Sequence, residues 1–420
     1  MLSRRALLRA SSGLLGAAAL HRVGAPGRAR AASGAALKFI FVVAYGGWDP
    51  TRVFAPEFAN PAVVMEPEAQ ERSAAGLRYV DHPDRPNVRA FFDRHAARSV
   101  VFNGVGVASI AHESCLRICL TGRPGPDGAD WGAILGAART ADFPIPHIVI
   151  GGPSFPGAYA AAVTRTGTNA QLAALLSGDL AAWSDLPFVR PTPSAETVMN
   201  TTVERRVAAA LARARPGAEA ALVEGLGTAL DRAAYLQGLG DGVVWDTTTF
   251  GGQARLAVDL LALQVSRVAT LAYATQPWDT HVDNDVHQSA AFEGLFAALL
   301  EILALLEAQP GQGSGTLADE TVLVVLSEMG RAPVENVYAG KDHWPATSAL
   351  LVGPGLQGGR TIGAFDDGLY GCTIDLVTGE PAEGGAGLDA AGVGATLLHL
   401  AGLDPEEHVP GAPAVLAALA

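Results

Sequence analysis

The sequence predicts an α/β protein: a three-layer sandwich of helices around a mostly parallel central sheet, with a helical insertion. Two observations carry that prediction. Short runs rich in Val, Ile, Leu and Phe recur along the chain, each followed by Gly, by polar residues or by a helical pattern. Near-continuous apolar strands of this kind belong to a sheet covered on both faces, and their alternation with helices is how such a sheet is connected.

The expected strands, in order, are LKFIFVVA (37–44), SVVFNG (99–104), HIVIGG (147–152), VATLAYA (268–274), TVLVVLS (321–327) and SALLVG (348–353). Residues 167–265 read differently. NAQLAALLSGDLAAW (169–183), VERRVAAALARA (203–214), the run 218–239 and ARLAVDLLALQV (254–265) place apolar residues three and four apart, the period of a helix. They are expected to form an all-helical insertion between core segments 33–166 and 266–420. GLDAAGVGATLLHLAGLDPEE (387–407) reads as one amphipathic helix ended by Gly402 and Pro405.

The first 32 residues stand apart from the fold. SRRALLR (3–9) is a twin-arginine pattern, followed by the apolar run GLLGAAAL and by ARA at 29–31. A basic start, a short apolar middle and a small-residue cleavage site together read as a twin-arginine export signal. The implied partner is the twin-arginine translocation machinery, and the implied location is periplasmic or extracellular. That route carries folded chains, often with a cofactor already inserted, which favours a bound metal.

Charge and cysteine narrow the function classes. The chain has a net charge of −13, and loss of the six arginines in residues 1–32 takes it to −19. Such acidity argues against nucleic acid and anionic membrane surfaces as partners. No apolar run after the signal is read as a membrane span; the longest are expected to be core strands. Three cysteines make no disulfide framework, and Cys115 and Cys119, at helical spacing, read as small buried apolar residues.

Four polar clusters follow or adjoin expected strands, where ligands bind in open α/β sheets. YGGWDP (45–50) carries Asp49 behind two glycines that let the backbone turn tightly. QPWDTHVDNDVHQ (276–288) packs Asp279, His281, Asp283, Asp285 and His287 together, and carboxylates and imidazoles two or four apart can hold one divalent ion. Glu328 sits just past an uncharged strand, and KDHWP (341–345) offers Asp342 and His343 before the next one. ASIAHESCLRICLTGR (108–123) opens a helix with Ser109, His112 and Ser114, whose N-terminal N–H groups favour an anion, and Arg117 and Arg123 add positive charge. Each cluster alone also fits a turn, a solvated loop, a Glu328–Arg331 pair or an ordinary helix start; the four together point to one site.

In this order the motifs resemble the alkaline phosphatase and sulfatase superfamily. More closely, GGWDP, AHESCLRICLTGR, WDTH and SEMGR with GKDHW are similar to a twin-arginine-exported family of unknown function held to be a distant branch of it. The resemblance implies an alkaline phosphatase-like core and a hydrolase of phosphate or sulfate esters, small or polymeric, using one or two divalent ions, with zinc, manganese or calcium as candidates. It implies Asp49, Asp279, His281, Glu328 and His343 as metal ligands. His112 or a nearby serine such as Ser114 falls in the nucleophile region, with Arg117 helping to hold an oxyanion. Asp342 is left as a supporting or structural residue.

Three departures accompany it. Met329 stands where the second ligand of the usual Asp-His pair belongs, and Ala111 stands where close relatives often carry a serine. Asp279 and His281 are two apart rather than four, so Asp283 and His287 are a rival assignment. A serine nucleophile and a metal-activated water therefore both stay open. So does a non-catalytic exported binding protein that retains the fold.

Overall fold

Eight strands form the central sheet of the computed structural model, which describes residues 36–167, 172, 192–239, 242–313 and 315–420. The export signal and nearly all of the expected helix 169–183 lie outside the described residues. The strands are β1 (Lys38–Ala44), β2 (Ser99–Gly106), β3 (His147–Val149), β4 (Val163–Arg165), β5 (Val268–Tyr273), β6 (Thr321–Leu326), β7 (Ala346–Val352) and β8 (Arg360–Ile362). Their spatial order is β8-β2-β7-β6-β1-β5-β3-β4. All six expected runs are present. Every pairing is parallel except those of β7, which runs antiparallel to both β6 and β2.

Strand β1 shows why the sheet needs two covers. Its seven residues, KFIFVVA, are all buried. Side chains alternate across a strand, so Ile40, Val42 and Ala44 enter one core cluster while Phe39, Phe41 and Val43 enter the other. Helices α1 (Pro86–His95), α6 (Phe250–Ala262) and α7 (Asn284–Ala308) cover the first face. Helices α2 (His112–Thr121), α3 (Trp131–Ala137) and α8 (Ala390–Leu400) cover the second. Each large apolar side chain buried this way contributes about 1.5–3 kcal/mol relative to exposure.

Two helices differ from their sequence reading. Helix α7 is long and apolar enough to cross a membrane, a length the sequence reading assigned to no segment after the signal. Here it is a core helix: Gln288, Phe292, Leu295, Phe296, Leu299, Ile302, Leu303 and Leu306 line its buried face at helical spacing. Helix α8 was expected to be amphipathic, yet nine of its eleven residues are buried. The C-terminal segment explains this, because Val409, Val415, Ala417 and Ala418 join the same cluster and cover the face left for solvent.

Within the stretch read as an insertion, α4 (Pro193–Leu211) and α5 (Ala218–Gln237) pack on each other, and of their residues only Leu236 is buried. The following helix, α6, instead packs on β5 and α7.

Helix α8 approaches α3 so closely that a side chain at Gly394 would fall inside the Trp131 indole. Trp131 cannot easily yield, because it is fully buried and its Nε1 donates to the Cys119 carbonyl at 3.0 Å. Gly394→Ala is therefore expected to destabilise the protein by about 1–3 kcal/mol through overpacking. A lowered urea midpoint at unchanged slope would show it.

A candidate metal centre at the carboxyl end of the sheet

The loops that follow β1, β2, β5 and β6 leave the sheet at the carboxyl ends of parallel strands. Strand β7 runs the other way, so its start lies at that same end and brings His343 there. One side chain ties three of these loops together. Arg331, fully buried, donates from Nε to the Gly47 carbonyl at 2.8 Å and from Nη1 to the Lys341 carbonyl at 3.1 Å. Its Nη2 donates to the Trp278 carbonyl at 3.0 Å, to Asp279 Oδ1 at 2.8 Å and to the Gly46 carbonyl.

The two glycines are required. Gly46 and Gly47 have φ of +130° and +83°, and a Cβ would meet Trp278 at 2.8 Å or Met329 at 2.7 Å respectively. The tight turn they make points the Gly46 N–H at Glu328, whose oxygens accept it at 2.9 and 3.1 Å.

Around this frame three imidazoles meet one carboxylate. His343 Nε2 lies 3.1 Å and His281 Nε2 3.2 Å from Asp279 Oδ1, while His112 Nε2 lies 3.4 Å from Asp279 Oδ2. The Nε2 atoms of His281 and His343 are 3.0 Å apart. Ligand atoms of His112, Asp279 and His343 all fall within 4.8 Å of one another.

The opposite ring nitrogens decide what these contacts mean. His112 Nδ1 is 2.8 Å from Glu328 Oε1, His281 Nδ1 is 3.0 Å from Asp342 Oδ1, and His343 Nδ1 is 2.8 Å from the Ile110 carbonyl. Carboxylate and carbonyl oxygens only accept, so each Nδ1 carries a hydrogen, and in the neutral tautomer that follows the Nε2 lone pair is turned inward. Three lone pairs and a carboxylate facing one another repel unless a cation lies among them. This donor set, with each imidazole oriented from behind by an oxygen, fits a divalent metal ion.

Burial acts to raise the Asp279 carboxyl, but the Arg331 hydrogen bond and the Arg331 charge are among the causes that outweigh it and hold it at about 2. The hydrogen bond to Glu328 is the main cause that raises His112 above the ordinary imidazole value.

Of the expected metal ligands, Asp279, His281 and His343 come together here and two others do not. Asp49 is fully buried away from ligand duty: Oδ1 accepts from the Thr51 hydroxyl at 2.6 Å, and Oδ2 accepts from Asn284 at 3.0 Å and pairs with Lys341 Nζ at 2.8 Å. Burial raises its carboxyl, yet the charges of Lys341 and Arg52 hold it well below the ordinary range. Glu328 is likewise spent, on Gly46 and His112, so it stands behind the cluster rather than in it.

The three residues expected to be catalytic also separate. His112 faces the cluster as a fourth ligand-type group. Ser114, two residues on in the helix, is about 200° round its axis and is exposed. Arg117 lies over the Phe155 ring, 4.4 Å from its centroid. The rival pair is not assembled either, because Asp283 and His287 are both exposed at the start of α7. Met329 is buried with Val107 and Cys115 in an apolar cluster, which is where the missing nitrogen went.

Sequence reasoning missed the placement of His112 Nε2 beside Asp279, the Lys341 partner of Asp49, and two amide anchors. Gln288 donates to the Trp278 carbonyl at 2.9 Å and accepts the Asp49 N–H at 2.9 Å, and Asn336 donates to the His281 carbonyl at 3.0 Å. Only Lys341, beside Asp342 in KDHWP, carried a readable signal.

With this geometry in hand, the chain can be set beside known proteins. Residues 193–413, more than half of the chain, match the family described as "Protein of unknown function (DUF1501)". No curated protein matches. Among solved structures the chain is similar to Ps i-CgsB at 12% identity and a TM-score of 0.40, with 91% of this chain and 75% of that one covered. It is similar to BT4656, solved with its substrate D-glucosamine-2-N,6-O-disulfate, at 11% identity and a TM-score of 0.34, with 90% and 81% covered.

The placement of Asp49 is directly testable. Asp49→Asn leaves Lys341 buried without its paired carboxylate, while Arg52 keeps Asp285, and the loss is expected to cost about 3–5 kcal/mol. Urea unfolding measures that loss, and metal titration of the folded variant should return the same number of bound ions as the unaltered chain.

Proposed function

The chain belongs to the DUF1501 family, and we propose that it is an exported metal-dependent hydrolase of phosphate or sulfate esters, small or polymeric. What supports this is one observation: the Nε2 lone pairs of His112, His281 and His343 meet the Asp279 carboxylate at the carboxyl end of a mostly parallel sheet. Export by the twin-arginine machinery to the periplasm or exterior is supported by the SRRALLR pattern.

His112, His281, His343 and Asp279 would hold the ion. A divalent ion in that place supplies Lewis acidity toward an ester oxygen. Around it the chain's own groups bind and orient. Glu328, Asp342 and the Ile110 carbonyl keep the three Nδ1 hydrogens in place, so the rings stay turned inward. Arg331 fixes Asp279 and contributes positive charge beneath it. Tyr45, whose ring centroid is 5.4 Å from that of His112, keeps its proton, because burial and the Glu328, Glu113 and Asp279 charges raise its phenol. It offers a hydroxyl donor to a bound oxyanion. Among the described residues, no hydrogen bond ties Ser109 or Ser114 to the cluster, and the Ser109 hydroxyl instead accepts the Ala111 N–H at 3.2 Å. Water is therefore the favoured attacking oxygen.

The neutralisation of Asp49 by Lys341 favours a second reading, a binding protein that keeps the fold without turnover. A panel of aryl phosphate monoesters, phosphate diesters and sulfate esters separates the two, assayed with the mature chain after metal removal and re-addition. Hydrolysis is expected to depend on the added ion, to vanish in Asp279→Ala and to persist in Ser114→Ala. If no ester in the panel is cleaved with any divalent ion, the hydrolase reading falls and the binding reading stands.

A further inference from the structure

We infer that this centre takes a single zinc-like transition-metal ion in preference to calcium or magnesium, and that His112 is one of its ligands. The inference rests on the metal-site reading above and deepens it.

Donor chemistry sets the preference. Three of the four inward groups are imidazole nitrogens, which suit zinc, copper, nickel and iron. Calcium takes six to eight oxygen ligands and magnesium prefers oxygens and water, whereas among the described residues the carboxylate oxygens that meet the Nε2 atoms are those of Asp279. Spacing agrees with the chemistry. Ligand atoms about 2.0–2.1 Å from a tetrahedral zinc ion stand about 3.3 Å apart. Asp279 Oδ1 lies 3.1 and 3.2 Å from the Nε2 atoms of His343 and His281, which are 3.0 Å from each other, and Oδ2 lies 3.4 Å from His112 Nε2.

The number of ions follows from the neighbouring carboxylates. A second ion would need its own ligands, and the two best-placed acids are already saturated. Asp49 holds Lys341, Asn284 and Thr51, while Glu328 holds the Gly46 N–H and His112. Lys341 Nζ, 2.8 Å from Asp49, supplies a positive charge that a second ion would otherwise bring. Among the described residues, the remaining carboxylate touching the cluster is Asp342, which is committed to His281 Nδ1.

His112 owes its place to Glu328. The buried carboxylate is anchored by a backbone N–H on one side and takes the His112 Nδ1 hydrogen on the other. That leaves Nε2 with no use except the cluster. Glu328 is thus a positioning residue for His112, as Asp342 is for His281.

The test uses the full mature chain, stripped of metal and titrated separately with zinc, cobalt, manganese, calcium and magnesium by calorimetry and thermal unfolding. One equivalent of zinc or cobalt is expected to bind and raise the Tm, while calcium or magnesium at the same concentration does not. The cobalt form should show intense visible d–d absorption, the mark of a low coordination number with nitrogen ligands. His112→Ala is expected to weaken zinc binding and alter that spectrum. Asp342→Ala, at an exposed position where folding is not at risk, should weaken zinc by about 10–100-fold through loss of imidazole orientation. Two equivalents of ion, calcium bound as tightly as zinc, an unaltered cobalt spectrum in His112→Ala, or imidazoles held by protons alone with no ion bound would each overturn the inference. Zinc bound as expected without ester turnover sinks only the hydrolase reading. Turnover supported by calcium with no zinc bound sinks only this inference.

Discussion

The architecture of this site hangs on one buried guanidinium. Arg331 is a rigid fork of N–H donors, and here it reaches four backbone carbonyls from three loops and one carboxylate, three of these acceptors sharing the two Nη2 hydrogens. Loops that leave adjacent strands have no ladder to hold them, so their carbonyls must find partners elsewhere. A lysine could reach one or two of them; a planar fork reaches all. Because Asp279 is the single charged acceptor in the set, Arg331 both assembles the loops and fixes the carboxylate around which the imidazoles gather.

That arrangement sorts the acids of the region by partner rather than by position. Asp49, Asp279 and Glu328 all follow strands at the same end of the sheet. Asp49 meets an ammonium and becomes a buried ion pair. Glu328 meets a backbone N–H and an imidazole N–H and becomes an orienting group. Asp279 meets Arg331 through one oxygen and keeps both oxygens within reach of imidazole nitrogens, so it alone of the three faces the Nε2 atoms. Its exposure fits this role, since 46% of its side chain is open to solvent while those of the other two are at 0%.

Much of the fold was legible because a parallel strand covered on both faces must be apolar throughout, and runs such as LKFIFVVA show that directly. The edge strands β4 and β8 were not, because VTR and RTI are three residues long, two of the three polar, and only edge pairing makes them strands. In the site, Asp279, His281 and His343 were readable from the density of ligand-type residues beside strand ends. The partners of Asp49 and Glu328 were not legible for a physical reason: what a carboxylate does depends on what meets it, and Glu328 finds His112 across 216 positions of sequence. The helix α8 reading failed likewise, since nothing in its own pattern reveals the C-terminal segment that covers it.

His112 shows how two opposing local fields are resolved. As the first residue of α2 it sits at the positive end of a helix dipole, which disfavours a proton on its ring by about 0.3–1 kcal/mol. Against this stands a 2.8 Å hydrogen bond to a fully buried carboxylate, and such charge-assisted bonds contribute about 1.5–3 kcal/mol. The hydrogen bond outweighs the dipole, in keeping with the raised His112 value. The same push that makes the ring a stronger base toward a proton makes Nε2 a stronger donor toward a metal. A helix start that suggests an anion site in the sequence thus carries, on one buried glutamate, an imidazole whose Nε2 faces the Asp279 carboxylate.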